Sequence, residues 1–403
     1  MSDIRNDFPF IVKHPEIAYF DNAATTLKPQ CVIDTVVNYY ENLGSNVHRG
    51  EFYLSHQTSE AYEGVRLKTA QFINAQKEEI IFTSGASESL NVIAKMAGEA
   101  FLNAGDVILL NETEHASNIL PWYDLAQRHD FVIEFIPLST DGKISMEAFK
   151  KALHSKVKLV SIAHMSNVLA YENDVQKMAK LVHEQGGLIC VDGAQSIGHT
   201  SIDVKALDLD FFAFSAHKML GPTGVGVLYG KYDLLDQIQP LKMGGGSNVR
   251  FNACGEVTYK LPPYKFESGT PNIEGVLGFG GALDYLNALG MAKVDQILKE
   301  LHRYLLDGLK NMDHIKVYNP DADASIVSLT VDGIFPQDVA AYLSLHNIAV
   351  RAGEHCAKLL TGALEQEKTV RVSLYIYNTF EEIDWLLHHL REITLEKVVD
   401  VYL

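Results

Sequence analysis

Short apolar runs alternate with amphipathic stretches along the chain from about Glu79 to Gly230. The apolar runs are rich in β-branched and aromatic residues, which is typical of buried strands. Strands that alternate with helices in this way predict a doubly wound α/β sheet, mainly parallel and covered on both faces. We expect the last strand to return directly from its predecessor and to run antiparallel. The predicted strands are Ile80–Ser84, Val107–Leu110, Val132–Ile136, Val157–Ala163, Leu188–Val191, Phe211–Phe214 and Gly224–Tyr229.

The pattern changes downstream of these strands and predicts a second, smaller domain. The Gly- and Pro-rich region Met243–Tyr264 keeps its apolar residues, and we interpret it as a long functional loop rather than a linker. Helices are predicted at about Gly275–Leu289 and Val294–Met312, and the second one leads into an α+β domain. A capping box at Thr379–Glu382 predicts the start of a closing helix. The strands predicted in this domain are Ile315–Tyr318, Ile326–Val331, Ala349–Arg351 and Val370–Leu374.

The length of 403 residues also favours two domains over one core. We assign residues 16–290 to the large domain and residues 1–15 and 291–403 to the small one. The N-terminal dozen residues are expected to pack on the small domain.

Composition and charge narrow the class of protein. A hydrophobic fraction of 47% with 21% charged residues is typical of a soluble globular enzyme. The net charge of −17 argues against a nucleic-acid partner and against an anionic membrane surface. We see no signal peptide and no stretch of transmembrane length. The four cysteines have no CxxC spacing, so a reducing, cytoplasmic location is expected.

Two neighbouring strands end in the polar groups that carry the chemistry. Asp192 ends the run that begins at Leu188, and Lys218 follows the run that begins at Phe211. A lysine at a strand end suits a Schiff base, and a buried carboxylate suits a protonated pyridine nitrogen. The pair therefore indicates pyridoxal 5′-phosphate (PLP). Taken alone, Lys218 would more simply be interpreted as a surface lysine, and Asp192 as an aspartate that opens a turn.

A strand, a glycine turn and a helix start follow one another near Gly85. Exposed backbone N–H groups at a helix N-terminus bind phosphate, and Ala86 and Ser87 stand at this position. Helix capping is the other explanation of the same residues. Because PLP is already indicated by Lys218, we interpret the turn as its phosphate site.

Two further strands end in residues that suit a cofactor ring and a substrate. His115 could stack on a pyridine ring and transfer protons, or it could be a half-buried imidazole with ordinary partners. Asn167 could donate to a phenolic oxygen or to a substrate carboxylate, or it could be a turn residue. The position of both residues at strand ends favours the functional roles, because open α/β sheets bind ligands at the carboxyl ends of their strands.

The small domain carries a cysteine and a buried arginine. Cys356 follows Arg351 and His355 in a loop that we expect to be electropositive and to favour the thiolate, with Glu354 opposing. A buried hydrophobic role is the alternative for a lone cysteine, and we assign that role to Cys190. Arg371 interrupts an apolar strand, so it needs a substrate carboxylate or a structural ion pair.

The sequence resembles the PLP-dependent class V aminotransferases and, within them, the cysteine desulfurases of the Suf type (group II). The resemblance runs nearly end to end and implies PLP-dependent fold type I, with the PLP site in the large domain. The short Arg-x-Gly-x-His-Cys form, rather than a longer cysteine loop, points to the Suf type. The motifs are Asp21–Thr26, Asn46–Gly50, Glu114–His115, His164–Leu169, Asp192–Gln195, Ser215–Lys218, Gly221–Gly224, Phe266–Asn272 and Arg351–Cys356.

The resemblance implies a role for each matching residue. Lys218 would be the Schiff-base lysine, and Cys356 the nucleophile that forms a persulfide. The ring would contact Asp192 through its nitrogen, Gln195 through its phenolic oxygen and His115 through its face. The phosphate would be held by Ser87, Ser215 and His217, with Thr270 from the partner subunit of a homodimer. Substrate contacts would come from Asn167, Arg371 for the carboxylate, and His48, Arg49 and Arg351 at the entrance.

The implied activity is removal of sulfur from L-cysteine to give L-alanine and a persulfide on Cys356. An acceptor of the Suf type would then take the sulfur, with iron–sulfur cluster assembly as the expected use. Open alternatives are a selenocysteine lyase, another class V enzyme such as a β-lyase or epimerase, and a scaffold without turnover. The chain departs from the family pattern at Ala170, Tyr171 and Glu354, and it has no proline soon after Cys356.

Overall fold

The computed structural model describes residues 2–322, 324–364 and 366–399. Strands are numbered in chain order: β1 Ala18–Tyr19, β2 Ile80–Thr83, β3 Val107–Asn111, β4 Val132–Ile136, β5 Val157–Ala163, β6 Leu188–Asp192, β7 Phe211–Ser215, β8 Gly226–Gly230, β9 Asn248–Phe251, β10 Val257–Tyr259, β11 Ile315–Val317, β12 Ile326–Val331, β13 Ile348–Ala349, β14 Arg351–Gly353 and β15 Thr369–Ser373.

The α-helices are α1 Ser2–Arg5, α2 Pro9–Lys13, α3 Gln30–Asn38, α4 Tyr53–Phe72, α5 Ala86–Phe101, α6 Leu120–His129, α7 Met146–Ala152, α8 Val175–Glu184, α9 Tyr232–Gln237, α10 Ile273–Leu289, α11 Met291–Leu309, α12 Pro336–Leu345, α13 Leu360–Leu364, α14 Phe380–Glu392 and α15 Leu395–Val399. A π-helical turn spans Tyr39–Leu43, and 3₁₀ turns span Lys77–Glu79, Ala116–Asn118, Ala216–Lys218 and Tyr264–Phe266.

A seven-stranded sheet in the order β2-β8-β7-β6-β5-β3-β4 forms the centre of the large domain. Strands β3 to β7 pair in parallel, whereas β8 is antiparallel to both of its neighbours, β2 and β7. The predicted α/β fold with a mainly parallel seven-stranded sheet is thus confirmed, including the antiparallel strand. Because β8 reverses direction between them, β2 and β7 point the same way.

Successive residues of the central strands face different hydrophobic layers. In β6, Ile189 and Val191 pack in one core, whereas Cys190 packs in the core on the opposite face of the sheet. This period of two is the strand geometry, and it is hidden in the sequence because both faces are apolar. Cys190 is fully buried, which confirms its assignment as a small core residue. Burial also raises the pKa of its thiol.

The region predicted as a long loop contains a hairpin instead. Strands β9 and β10 pair antiparallel, and the turn between them has Gly255 at φ +85°. The prediction of an irregular loop is wrong at these residues. The strands are short and their apolar side chains, such as Val249 and Phe251, are largely exposed. A pattern search for buried strands therefore gives no signal here.

The second sheet has the order β11-β12-β15-β14 and is antiparallel. The predicted strand Ala349–Arg351 is split in two at Val350. Its first part, β13, pairs in parallel with β1, and its second part, β14, pairs with β15. One continuous strand was therefore the wrong description, because the backbone changes partner between these residues.

The N-terminal segment packs against both parts of the molecule. Arg5 donates to the Tyr377 carbonyl and to Glu382, and the Phe8 ring contacts Tyr377 and Tyr285. The capping box at Thr379 is present at the start of α14, as predicted. Within the described residues, no helix is both long and apolar enough to cross a membrane. The domain boundaries remain a prediction, and residues 1 and 400–403 lie outside the described residues.

Candidate active site

The carboxyl ends of the parallel strands and the edge of the second sheet surround a cavity of about 210 Å³. Most residues expected at the site line it, and several more, among them Ala23, Ala24, Ser117 and Met165, line it as well. The expected residues found there are Ala86, Ser87, His115, Asn167, Asp192, Gln195, Ser215, His217, Lys218, Arg351, Cys356 and Arg371.

Lys218 and Asp192 lie on neighbouring strand ends. Lys218 closes a 3₁₀ turn directly after β7, and Asp192 is the last residue of β6. Burial lowers the pKa of Lys218 to about 8, while the Asp192 charge acts in the opposite direction. Burial also raises the pKa of Asp192. The Ala194 N–H, which donates to its carboxylate at 2.9 Å, and the charge of Lys218 both act to lower that pKa. The neutral, nucleophilic form of the lysine is therefore accessible near physiological pH.

The turn after β2 approaches the turn after β7 across β8. A Cβ atom on Gly226 would lie 2.4 Å from the Gly85 Cα atom, so only glycine fits between these turns. The Ala86 N–H donates to the Ser215 hydroxyl at 2.7 Å, and the Ser87 hydroxyl lies 2.6 Å from that of Ser117. Hydroxyls and helix N–H groups converge at the start of α5, and such an arrangement binds phosphate.

His115 and His217, which both line the cavity, are neutral at physiological pH. Burial lowers the pKa of His115 to about 4, with further lowering from Lys218 and Arg371. Burial likewise lowers the pKa of His217 to about 4. His115 Nδ1 accepts from the Ser117 N–H at 3.1 Å, which fixes its ring orientation. A neutral, oriented imidazole is suited to stacking on a flat ring.

A buried carboxyl group supports the His115 loop. Glu114 accepts from the Asn118 amide at 2.7 Å and from the Ala163 N–H at 2.8 Å, and Asn111 donates to it as well. Burial raises the pKa of Glu114 to about 8. These contacts tie the end of β3 to the end of β5, so the loop is held by both strands.

The cysteine loop has unusual backbone geometry. His355 and Cys356 have φ values of 52° and 59°, which is the left-handed region that non-glycine residues rarely adopt. Two bonds hold it: the Asn167 amide donates to the His355 carbonyl at 2.8 Å, and the Ala116 N–H donates to the Cys356 carbonyl at 2.8 Å. Cys356 itself is exposed at the cavity. Surrounding structure of this kind maintains backbone strain at functional sites.

The expectation that His355 adds positive charge to this loop is wrong. The imidazole is 7% exposed, and its Nε2 lies 3.1 Å from the carbonyl and 3.0 Å from the hydroxyl of Thr369. Burial lowers the pKa of His355 to about 3, and Arg371 lowers it further. His355 is therefore neutral, and its structural role is to fix the loop.

Arg371 forms a structural ion pair and also lines the cavity. Its side chain is 2% exposed, and its Nη1 donates to the Asn167 carbonyl at 3.0 Å. Its Nη2 donates to Asp21 at 3.2 Å, which is a structural ion pair. The residue nevertheless lines the cavity, and its Nε has no hydrogen-bond partner among the described residues. Burial lowers the pKa of Arg371 to about 10, so it remains a cation at physiological pH.

Three expected residues lie elsewhere in the chain. His48, Arg49 and Thr270 line a separate cavity of about 230 Å³. There His48 lies 3.4 Å from Glu63, and the Asn46 amide donates to the Thr270 hydroxyl at 3.4 Å. The chain by itself does not bring them to the cavity that contains Lys218 and Cys356.

Sequence reasoning did not assign roles to three residues that the structure brings to the site. Ser117 orients His115, Thr369 binds His355, and Asp21 pairs with Arg371. Ser117 and Thr369 gave no pattern signal, because serine and threonine are common in turns and strands. Asp21 did give a signal, since it follows the apolar run that ends at Phe20 and opens a quoted motif.

The donor set fits a phosphorylated pyridine cofactor. Besides the phosphate turn and Lys218, the cavity holds polar atoms that are buried and have no partner among the described residues. Those atoms include Gln195 Oε1, although the Gln195 amide nitrogen donates to the Ala23 carbonyl at 3.0 Å. An amide with one unsatisfied end at this position can meet a polar group of a ring.

The profile of the class-V aminotransferases matches residues 18–386 of this chain. The chain belongs to the aminotransferase class-V family. Its membership agrees with the order of the motifs and with the lysine and carboxylate on adjacent strand ends.

Relatives in this family include a probable cysteine desulfurase from Halalkalibacterium halodurans, 42% identical over 388 residues, covering 95% of this chain and 95% of that protein. A probable cysteine desulfurase from Vibrio cholerae is 41% identical and covers 95% of this chain and 96% of that protein. The apo structure of a cysteine desulfurase from Thermococcus onnurineus matches with a TM-score of 0.93 at 37% identity, covering 97% of each chain. The structure of cysteine desulfurase CsdA (S-sulfonic acid) from Escherichia coli gives 0.91 at 31% identity, over 99% of this chain and 98% of that one.

Proposed function

We propose that this protein is a PLP-dependent cysteine desulfurase that converts L-cysteine to L-alanine and leaves a persulfide on Cys356. The observation that carries the proposal is the shared cavity, which brings the Cys356 thiol together with Lys218 and Asp192. The similarity to cysteine desulfurases over nearly the full chain supports the same activity. A class V enzyme with other chemistry would have no need for a cysteine held at this position.

PLP, when bound, supplies a covalent link to the substrate amine and an electron sink for its α carbon. Lys218 is placed to hold and release the cofactor and to move the α proton, since a pKa of about 8 allows both forms of its amine. Asp192 would keep the ring nitrogen charged. Ser87, Ser215 and His217 would hold the phosphate, and His115 would pack on the ring.

The role proposed for Cys356 is nucleophilic attack on the substrate sulfur. Its Sγ forms a bond to that sulfur while the bond between the sulfur and the β carbon breaks. The electron pair of the broken bond remains on the three-carbon fragment, which is then protonated and leaves as L-alanine. The clamped loop places the thiol, and Arg371 with Asn167 would position the substrate carboxylate.

We further propose a homodimer in which Thr270 of each copy reaches the phosphate site of the other. The proposal rests on their positions in a single chain, because Thr270, His48 and Arg49 line a cavity that does not contain the lysine. A second copy would bring these residues to the substrate entrance. Light scattering together with a Thr270→Ala variant checks this arrangement: a monomer that binds PLP at full affinity would contradict it.

We also propose that the sulfur passes to an acceptor protein of the Suf type for iron–sulfur cluster assembly in the cytoplasm. The short cysteine loop supports this subtype, and an exposed Cys356 is accessible to an acceptor. The charge of Glu354 lies within the same loop and would affect docking.

The experiment that tests the activity compares Cys356→Ser with Cys254→Ser. Cys254 is also exposed but lies in the hairpin turn, so its replacement should leave activity unchanged. Cys356→Ser should bind L-cysteine, release no sulfur and form no alanine, and mass spectrometry of the wild type should place the added sulfur on Cys356. Added sulfur on another cysteine, or on none, would overturn the proposal. Turnover of selenocysteine in place of cysteine by the wild type would favour the lyase.

A further inference from the structure

Asp21 lies between the two arginines of the active-site cavity. Its Oδ1 is 3.2 Å from Nη2 of Arg371, and its Oδ2 is 3.6 Å from Nε of Arg351. One carboxylate therefore contacts both guanidinium groups, and each oxygen serves a different arginine. The two arginines differ in exposure, since the Arg371 side chain is 2% exposed and that of Arg351 46% exposed.

The sheet register explains why an anion is needed here. Arg351 on β14 and Arg371 on β15 are directly opposed in the antiparallel pair. Like charges at such a position repel each other and destabilise the pair. Asp21 offsets that repulsion from a third segment, and a β-bridge from Asp21 to Ser373 fixes its backbone beside β15.

A substrate carboxylate needs the same donors that Asp21 uses. Bidentate recognition by an arginine takes two parallel N–H donors. In Arg371, Nη1 donates to the Asn167 carbonyl and Nη2 donates to Asp21, and Nε has no partner within the part of the chain that the structure describes. A carboxylate that binds with two bonds must therefore take or share the Nη2 donor that contacts Asp21.

We propose that Asp21 is an internal carboxylate that competes with the substrate carboxylate for Arg371 and Arg351 and so sets the affinity for α-amino acids. The inference rests on the proposed function, because it assumes that Arg371 binds the substrate carboxylate. Asp21 is a specificity-determining residue in this scheme and does not touch the reacting atoms. It weakens binding of every anion, and it keeps the two arginines in place when no substrate is bound.

This competition would make the affinity of a ligand depend on whether it carries a carboxylate. A small thiol without a carboxylate gains nothing from the arginines, whereas an amino acid is attracted by them and must compete with Asp21 for their donors. Removal of the Asp21 charge should therefore strengthen the attraction of anions to the cavity and leave neutral reagents largely unaffected. Asp21→Asn keeps an oxygen acceptor for Nη2, so the arginine retains a partner.

Alkylation of Cys356 in the holoenzyme measures this attraction without turnover. Iodoacetate carries a carboxylate and iodoacetamide is neutral, and the ratio of their second-order rate constants isolates the effect of charge. In Asp21→Asn this ratio should rise by about threefold to tenfold, because a unit charge near the anion is removed. The matched control is Glu354→Gln, which removes a charge from the cysteine loop without touching either arginine and should change the ratio much less.

Steady-state kinetics provide the second measurement. The KM of Asp21→Asn for L-cysteine should fall by a similar factor, with a smaller change in kcat. An unchanged alkylation ratio, or one equal to that of Glu354→Gln, would overturn the inference. If Asp21→Asn does not fold, Asp21→Ser removes the same charge and the same ratio decides. If the ratio rises but the wild type makes no alanine from L-cysteine, the Asp21 competition stands and the desulfurase proposal fails.

Discussion

The Nε2 atom of His355 lies 3.1 Å from the Thr369 carbonyl oxygen, an atom that can only accept a hydrogen bond. Nε2 therefore carries the proton in the neutral ring, and Nδ1 is buried with no partner in residues 2–322, 324–364 and 366–399. The residue next to Cys356 is thus a fixed, uncharged group.

Acid should destabilise the fold through such buried histidines. The pKa of His355 is lowered to about 3, so between that value and the ordinary value of 6.5 the unfolded chain binds the additional proton. Stability therefore rises with pH across this window and is complete above it. His355→Gln should reduce the slope by at most about 1.4 kcal/mol per pH unit in urea unfolding between pH 5 and pH 6.5. His56→Gln, at an exposed position of α4, is the matched control.

Cofactor loading should follow the ionisation of Lys218. The neutral amine is the nucleophile, so the rate of PLP uptake by apoprotein should rise with pH and level off above about 8. Lys218→Ala should lose the absorbance band of the covalently bound cofactor and all turnover. Lys28→Met is the control, because Lys28 also has its pKa lowered to about 8 by burial but does not line the cavity. A persistent band in Lys218→Ala would show that another amine serves.

Asp192→Asn should affect both loading and turnover. Asp192 raises the pKa of Lys218, so its neutralisation should move the inflection in PLP uptake to lower pH. Turnover should fall by roughly two orders of magnitude, because an uncharged ring nitrogen is a poorer electron sink in proton abstraction. Near-normal turnover, measured beside an unshifted spectrum, would assign Asp192 a purely structural role.

Arg371→Lys should raise the KM for L-cysteine by about one to two orders of magnitude, since lysine keeps the charge but loses the planar pair of donors. The exposed Arg351 offers a comparison within the same cavity, and Arg351→Lys should have a smaller effect. Equal KM values in wild type and Arg371→Lys would leave only the ion pair with Asp21 as the function of this arginine.

The large sheet was predictable because its strands are buried on both faces and read as apolar runs. The ends of β4 and β5 agree with the prediction, and the other strands of this sheet differ by only one or two residues. The polar residues at the strand ends were predictable for the same reason, since each interrupts or follows a run. Strands β9 and β10 were missed because exposed strands lack this contrast.

Contacts between segments that are distant in the sequence could not be predicted from local hydrophobic patterns. Asp21 and Arg371 are separated by 350 positions, and no local period connects them. Thr369 lies 14 positions from His355, on a strand whose pairing decides that the two side chains meet. The positive charge predicted for His355 was wrong for the same reason, because a pKa depends on burial and burial depends on tertiary packing.

Gly226 determines how closely the two turns of the candidate cofactor site approach each other across the sheet. Strand β8 separates β2 from β7, so the phosphate turn and the lysine turn stand two strand spacings apart, about 10 Å. Side chains bridge them only because Gly226 leaves the gap open, as the bond from Ala86 to Ser215 shows. The width of this gap is thus set by the sheet and by the absence of a side chain at position 226. A methyl group at position 226 would change the width of this gap, although β8 itself carries no catalytic residue.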